Sequence, residues 1–177
     1  MHGRYVVLDD APCAASTRPR IILSSSMPGL HLEAVMVNEL DAFLADVIPV
    51  QEAAERAIHD GNLEPRLALW SRQEPITLFG ADMTAVGFDG VEPSFRTVAS
   101  WFSDCTDYAF EVVAAGVSGD LAYTVGYEHS TGIVVGAPRT YTLRVTHIYR
   151  RENGQWRIVH RHGDLPPAQE QSPEQQT

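Results

Sequence analysis

Hydrophobic residues in the first part of the chain recur at the spacing of helices. The spacing predicts a long helix from Leu32 to a stop at Gly61, with a kink where Pro49 interrupts it. Asn62 is a suitable cap for a second helix, and a third helix is expected to open at residues 89–90. Three helices are therefore predicted.

After the second helix, short runs of apolar and β-branched residues are separated by glycine-containing turns, a pattern typical of strands. Strands are predicted at residues 76–79, 84–86, about 108–117, 121–130, 139–150 and 155–163. Helices followed by an antiparallel sheet predict an α+β domain, with the helices on one face of a strongly curved sheet.

The last predicted hairpin carries the most information, because its turn fixes which side chains share a face. Asn153-Gly154 is a strong signal for a two-residue turn, since both positions need a positive φ. Glu152 then pairs with Gln155. Strict pairing from there places Ile148 opposite Val159, His147 opposite His160, Thr146 opposite Arg161 and Val145 opposite His162.

Alternation along the two strands sorts the hairpin into two faces. The first face holds Tyr141, Leu143, Val145, His147, Tyr149, Trp156, Ile158, His160 and His162. The second face holds Thr142, Arg144, Thr146, Ile148, Arg157, Val159 and Arg161. By hydrophobicity alone, the first face is the core.

Length and charge exclude several classes of function. At 177 residues the chain suits one well-buried core, and a net charge of −10 disfavours nucleic acid and anionic membranes as partners. Cys13 and Cys105 lack metal-knuckle spacing and make a weak disulfide case, so a reducing, cytoplasmic setting is expected. We divide the chain into an irregular extension at 1–30, a domain at 31–164 and a disordered tail at 165–177.

Several motifs give the chain a resemblance to a known superfamily. They are the helix break Asp60-Gly61-Asn62, the pair Leu69-Trp70, the entry Val86-Gly87-Phe88-Asp89-Gly90, and the hairpin sequence RVTHIYRRENGQWRIVHRH. With the order of elements, they resemble the SnoaL-like, ketosteroid-isomerase-like superfamily, which has the nuclear transport factor 2 fold. The hairpin is also similar to the association domain of calcium/calmodulin-dependent kinase II.

The resemblance, which covers about residues 36–164, implies a cone-shaped curved sheet wrapped around the N-terminal helices. It also implies a pocket between the helices and the concave face, and a homodimer formed through the convex face. It assigns the second hairpin face to the pocket, against the hydrophobicity argument. The first face, with Trp156 and His147, would then be convex and covered by a second subunit.

Isomerase chemistry does not carry over by position. The resemblance places the isomerase tyrosine at Ala54, the base near Thr77 or Leu78 and the acid at Thr146, and none of these can serve. Helical spacing groups Glu52, Glu55, Arg56 and His59 on one side of the first helix. A solvated face with i, i+4 pairs is the favoured interpretation, and a displaced base at Glu55 or His59 stays open.

The pocket face suggests a small-molecule ligand. Two guanidiniums in a concave site suit a planar carboxylate, because their donor forks match it. The predicted ligand-binding residues are Arg144, Arg161, Thr146, Tyr123, Tyr127 and Trp70, the last as core or pocket wall. The alternative is that each arginine pairs with an internal acid, such as Glu111 or Glu128.

The sequence supports three hypotheses about function, each from a different class of protein. The leading hypothesis is a protein that binds a small organic molecule, with possible isomerase, cyclase or hydrolase activity and no cofactor. One alternative is a non-catalytic association domain. Another is a metal enzyme in which His147, His160 and His162 bind Zn²⁺ from adjacent strands. The sequence does not identify the ligand.

Overall fold

The computed structural model describes residues 29–80 and 82–167, with side chains from residue 39. The elements are α1 (Gly29–Ile58), α2 (Glu64–Leu69), β1 (Thr77–Phe79), β2 (Thr84–Val86), α3 (Phe88–Trp101), β3 (Phe102–Ser118), β4 (Leu121–Val134), β5 (Ala137–Glu152) and β6 (Gln155–Asp164). The predicted helices and strands are all present. The N-terminal extension predicted at 1–30 lies almost entirely outside the described residues, as does most of the predicted tail.

The six strands form one curved sheet that does not close, in the order β2-β1-β6-β5-β4-β3. All neighbours are antiparallel except β1 and β6, which run parallel. The helices pack against the concave face, which confirms the predicted α+β class. No helix in the described part of the chain is long and apolar enough to cross a membrane.

Local sequence explains how the helices begin and end. Pro49 lies within α1, and the chain turns after the helix at Gly61, whose φ of +83° favours glycine. The side chain of Asn62 accepts a hydrogen bond from the amide of Glu64, at the start of α2. At the start of α3, Glu74 accepts the amide of Phe88 at 2.9 Å, which satisfies a donor that the helix leaves free.

The hairpin of β5 and β6 keeps the predicted turn but not the predicted register. Asn153 and Gly154 have positive φ, and Glu152 pairs with Gln155. Pairing continues to Tyr149 and Ile158 and then shifts by one residue, because Val159 forms a bulge. Beyond the bulge the pairs are Ile148 with His160, His147 with Arg161, Thr146 with His162, Val145 with Gly163 and Arg144 with Asp164.

The bulge corrects the assignment of the two hairpin faces. Val145, His147 and Tyr149 point into the concave side and are buried. The assignment of this face to a convex surface was therefore wrong, and the hydrophobicity argument gives the correct side for β5. On β6 the bulge exchanges the faces, so Arg161 lies inside while His162 is exposed.

The core depends on aromatic contacts between α1 and this hairpin. Phe43 meets the rings of Tyr149 and Trp156 edge to face, with centroids 5.2 and 5.1 Å away. Ile158 lies in the same cluster and is almost fully buried. Trp156 is partly buried and packs against this cluster from the inner side of the hairpin.

A matched pair of substitutions tests this face assignment. Replacing Ile158 with Ala should lower the free energy of unfolding by about 2–5 kcal/mol, because a buried aliphatic side chain leaves a cavity. Replacing Leu121 with Ala should change the free energy of unfolding by only about 0.5 kcal/mol, because Leu121 on β4 is 54% exposed. Urea unfolding measures both values, and equal costs would contradict the assignment.

Candidate functional site

A cavity of about 260 Å³ lies between the helices and the concave face of the sheet. Its apolar walls are Leu78, Met83, Phe95, Val98, Trp101, Phe102, Val134, Leu143 and Leu165. Its polar lining contains Glu55, His59, Arg66, Asp82, Glu128, Tyr141 and Arg161. An apolar chamber with a few convergent polar groups is the usual form of a small-molecule site.

Glu55 lies in the last turn of α1, and His59 follows directly after the end of the helix. Both side chains are buried, because they continue a stripe of inward positions through Phe43, Val47 and Gln51 at intervals of four residues. The favoured expectation that Glu55 and His59 belong to a solvated face was wrong. The stripe was visible in the sequence, but polar residues at its end obscured it.

Two buried ion pairs connect the elements around the cavity. Arg66 of α2 meets Glu55 of α1, with 2.5 Å between Nη1 and Oε2. Arg161 of β6 meets Glu128 of β4, with 2.6 Å between Nη2 and Oε2. Because buried charges need partners, these four side chains fix one another within the interior.

Space for the guanidinium of Arg161 is provided by a glycine. Gly163 is the next inward residue of β6, and a Cβ there would lie 2.5 Å from Nη1 of Arg161. That distance is too short for any side chain. The absence of a side chain at Gly163 therefore lets Arg161 fold back along its own strand toward Glu128.

The two glutamates have different electrostatic environments. Burial raises the pKa of Glu55 to about 7, since loss of solvent outweighs the attraction of Arg66. Burial also opposes ionisation of Glu128, but Arg161, His147 and Arg66 outweigh it and lower the pKa of Glu128 to about 2. Glu128 is thus a fixed anion at neutral pH, whereas Glu55 can gain or lose a proton.

His59 and Tyr141 form a hydrogen-bonded pair at the cavity. Nδ1 of His59 donates to the carbonyl oxygen of Glu55 at 2.6 Å. Burial lowers the pKa of His59, so its ring is neutral and Nε2 accepts the hydroxyl of Tyr141 at 2.5 Å. Burial also raises the pKa of Tyr141, so this hydroxyl keeps its proton.

Several buried polar atoms near the two ion pairs have no partner among the described residues. They are Oε1 of Glu128, Nε of Arg66, Nε of Arg161 and the hydroxyl of Tyr108. Unpaired buried polar groups are rare and call for water or a ligand. Three of these residues, Glu128, Arg66 and Arg161, line the cavity, whereas Tyr108 does not.

The structure separates the residues predicted to bind ligand. Arg161 lines the cavity and pairs with Glu128, as in the internal-acid alternative. Trp70 does not line it, but packs edge to face on Phe95, which does. The predicted grouping of Arg161 with Arg144, Thr146, Tyr123 and Tyr127 was wrong, because those four lie on the outer face of the sheet.

Arg144 has a surface partner instead. Its guanidinium contacts Asp164 through two hydrogen bonds of 3.1 and 2.7 Å, and both side chains are 44% exposed. Thr146 pairs with His162 on the same outer face. The position that carries the isomerase acid in the resemblance therefore points away from the cavity.

The bulge separates the three histidines that the zinc-site hypothesis requires. His147 is fully buried on the inner face, while His160 and His162 lie on the outer face beside Phe79. Neither nitrogen of His147 has a hydrogen-bond partner in the described part of the chain, and burial lowers its pKa to about 3. Within residues 29–80 and 82–167, no group of three or more His, Cys, Asp or Glu side chains is placed to hold a metal.

Sequence comparison agrees with the fold. The chain matches the family model described as the SnoaL-like domain over residues 49–168. A search of proteins with curated functions gives no match. The matched segment includes all the polar residues that line the cavity.

Solved structures with similar folds share little sequence with the chain. A Streptomyces avermitilis protein provisionally described as a dehydratase of the nuclear transport factor 2-like family has a TM-score of 0.58 at 18% identity, covering 72% of this chain and 99% of its own. A Thiobacillus denitrificans protein provisionally described as a calcium/calmodulin-dependent protein kinase type II association domain has a TM-score of 0.56 at 20% identity. The similarity covers 67% of this chain and 93% of that protein. A nuclear transport factor 2-like protein from Novosphingobium aromaticivorans has a TM-score of 0.54 at 19% identity, and the similarity covers 81% of this chain and 94% of that protein.

Two arginines of the same hairpin provide a matched test of the site. Arg161→Met should lower the free energy of unfolding by about 3–5 kcal/mol, because it leaves Glu128 charged and buried without a partner. Arg144→Met removes an exposed pair and should cost less than about 1 kcal/mol. Denaturant unfolding measures both.

A second substitution identifies the cause. Adding Glu128→Gln to Arg161→Met should recover part of the loss, since no uncompensated charge then stays buried. If Arg161→Met costs no more than Arg144→Met, the buried pair does not stabilise the fold.

Proposed function

The chain belongs to the SnoaL-like domain family, and we propose that its cavity binds a small organic molecule with which Glu55 exchanges a proton. The observation that carries this proposal is the position of Glu55. Its buried carboxylate lines the cavity and is held by Arg66, 2.5 Å away. A general base works best when its pKa is near the working pH, and that of Glu55 is about 7.

The roles of the two carboxylates follow from their surroundings. Glu128, ionised by Arg161, fixes the charge of the site and does not titrate near neutral pH. Glu55 is the group that changes its charge there. Two carboxylates with separated pKa values are a common arrangement for acid–base catalysis.

The hydroxyl of Tyr141 is the candidate for orienting the substrate. His59 fixes its position through the 2.5 Å contact, and His59 itself is fixed by the backbone of α1. That hydroxyl has one proton, which it donates to Nε2 of His59 in the free cavity. On binding it would turn this proton to a substrate oxygen and stabilise negative charge there, while Glu55 removes a proton from the adjacent carbon. The resulting chemistry is isomerisation or elimination beside a carbonyl.

The lining favours a mainly apolar, neutral ligand with one polar group. Each buried guanidinium already faces a glutamate, so the four side chains carry no net charge to attract a carboxylate when Glu55 is ionised. Protonation of Glu55 leaves the cluster of two arginines and two glutamates with one positive charge, which suits an anion. A carboxylate ligand is therefore the alternative, and it would bind more tightly below pH 7.

The comparisons are compatible with proton-transfer chemistry. The Streptomyces avermitilis protein is provisionally described as a dehydratase, an activity that requires a proton to be removed and a hydroxyl to leave. At 18% identity this neighbour supports only the fold, so the proposal depends on Glu55 and its surroundings.

Acetophenone is a suitable probe, because it is neutral, mainly apolar and has exchangeable protons beside its carbonyl. In D₂O the protein should catalyse exchange of those protons, as measured by the loss of the methyl signal in ¹H NMR. Glu55→Gln should slow the protein-dependent exchange by about 10²–10⁴-fold, the usual contribution of a general base. The rate should rise with pH through about 7, as Glu55 ionises.

Benzoate is the matched control ligand, with a carboxylate in place of the acetyl group. A thermal shift that is larger for benzoate and grows below pH 7 would support the carboxylate alternative. Acetophenone binding without exchange, or exchange that Glu55→Gln leaves unchanged, would contradict the catalytic proposal. Absence of binding by both probes would favour an association domain.

We also propose that the protein is a homodimer formed through the outer face of the sheet. Phe79, Tyr123 and Ile148 are each 38–44% exposed. Tyr123 pairs with Ile148, Ile148 pairs with His160, and His160 contacts Phe79, so these residues form an outer patch across four strands. A two-fold interface would cover this patch with its own copy.

Replacing Ile148 with Lys should convert the dimer to a monomer, because it places a charge in the middle of the outer patch. Light scattering at micromolar concentration measures the mass. Val135→Lys, at the exposed turn between β4 and β5, should leave the mass unchanged. A wild-type protein with the mass of one chain would exclude this dimer.

A further inference from the structure

A second cavity, of about 560 Å³, lies beside α1 and includes Tyr149 of β5 in its lining. It is bounded by α1, α2 and the start of β6, and it shares no lining residue with the first cavity. Its apolar lining consists of Val47, Val50, Ala53, Ala54, Pro65, Ala68, Leu69, Trp156 and Ile158. Its volume lies within the range of about 300–1,000 Å³ that is typical of ligand sites.

One buried polar side chain lines this cavity with a donor left unused. Gln51 is only 1% exposed, and its Oε1 accepts the hydroxyl of Tyr149. The hydroxyl oxygens of Tyr149 and Thr124 are 3.4 Å apart, so the buried Thr124 belongs to the same hydrogen-bond network. This network fixes the orientation of the Gln51 amide and leaves its Nε2 without an acceptor among the described residues.

The two charged residues at the cavity, Asp46 and Arg157, do not supply that acceptor, since Asp46 is exposed and makes no hydrogen bond to Gln51. Arg157 is a donor itself, and its guanidinium is used by the carbonyl of Ala68 and by the side chain of Gln155. The amide of Gln51 is neutral, so the site has no buried charge to neutralise. A buried donor without a partner is unfavourable, and a ligand oxygen would remove that cost.

We propose that this cavity is a second binding site, for a small neutral molecule with an apolar body and one oxygen acceptor that meets Nε2 of Gln51. The apolar body would contact Trp156 and the aliphatic side chains of α1. The site is independent of the proton transfer proposed for Glu55, because neither cavity shares a wall residue with the other.

Cyclohexanone is the probe, and the ¹⁵N-labelled full chain is the sample. Titration should give saturable shifts of the Gln51 side-chain amide and the Trp156 indole in ¹H–¹⁵N spectra. Gln51→Met keeps the volume and removes the donor, and should weaken the Trp156 response by about three- to tenfold, the value of one neutral hydrogen bond. Ala53→Trp, at an exposed position of the cavity wall, should abolish it by filling the space.

The first cavity provides the control. Val98→Trp fills that cavity alone and should leave the Trp156 response unchanged. No saturable shift at Gln51 and Trp156, or a shift that persists in Ala53→Trp, would overturn the proposal. A response blocked by Ala53→Trp but equally strong in Gln51→Met would also overturn it, since the amide would then not recognise the ligand.

Discussion

The interior of this protein depends on the pairing of four buried charges. Arg66 joins α2 to Glu55 on α1, and Arg161 joins β6 to Glu128 on β4. A charge in an apolar interior is stable only beside its partner, so the elements that carry these residues must keep their relative positions. The cavity is therefore bounded by groups that support the fold and are available for chemistry.

The same pairing separates the behaviour of the two glutamates. Glu128 receives more stabilisation from nearby cations than burial removes, whereas Glu55 does not. A small change in surroundings thus gives two identical side chains different protonation states at neutral pH. The neutral pair of His59 and Tyr141 adds a fixed polar group beside Glu55 without adding charge.

Much of the fold could be predicted from local sequence, because its signals are local. The turn at Asn153-Gly154 and the helix end at Gly61 follow from backbone conformations that few residues adopt. The bulge at Val159 could not be predicted, since a valine fits either face of a strand and the partner that Arg161 meets inside, Glu128, comes from a distant strand. That single residue decided the predicted site: Arg161 lies inside, as expected, but Thr146 and the outer histidines lie on the opposite face. Glu55 and His59 were recognised as candidates, but whether an i, i+4 polar pair is solvated depends on Arg66 and Tyr141, which come from distant parts of the chain.

Gly163 has a consequence for how the sequence can change. Its missing side chain is the space that the guanidinium of Arg161 fills, so the two positions are not independent. A larger residue at 163 would push the guanidinium of Arg161 away from Glu128 unless Arg161 had become shorter, and a shorter residue at 161 leaves the charge of Glu128 without its partner. The dependence therefore runs in one direction: a relative with a side chain at 163 should also have lost the pair of Arg161 and Glu128, whereas a relative that has lost the pair can keep the glycine.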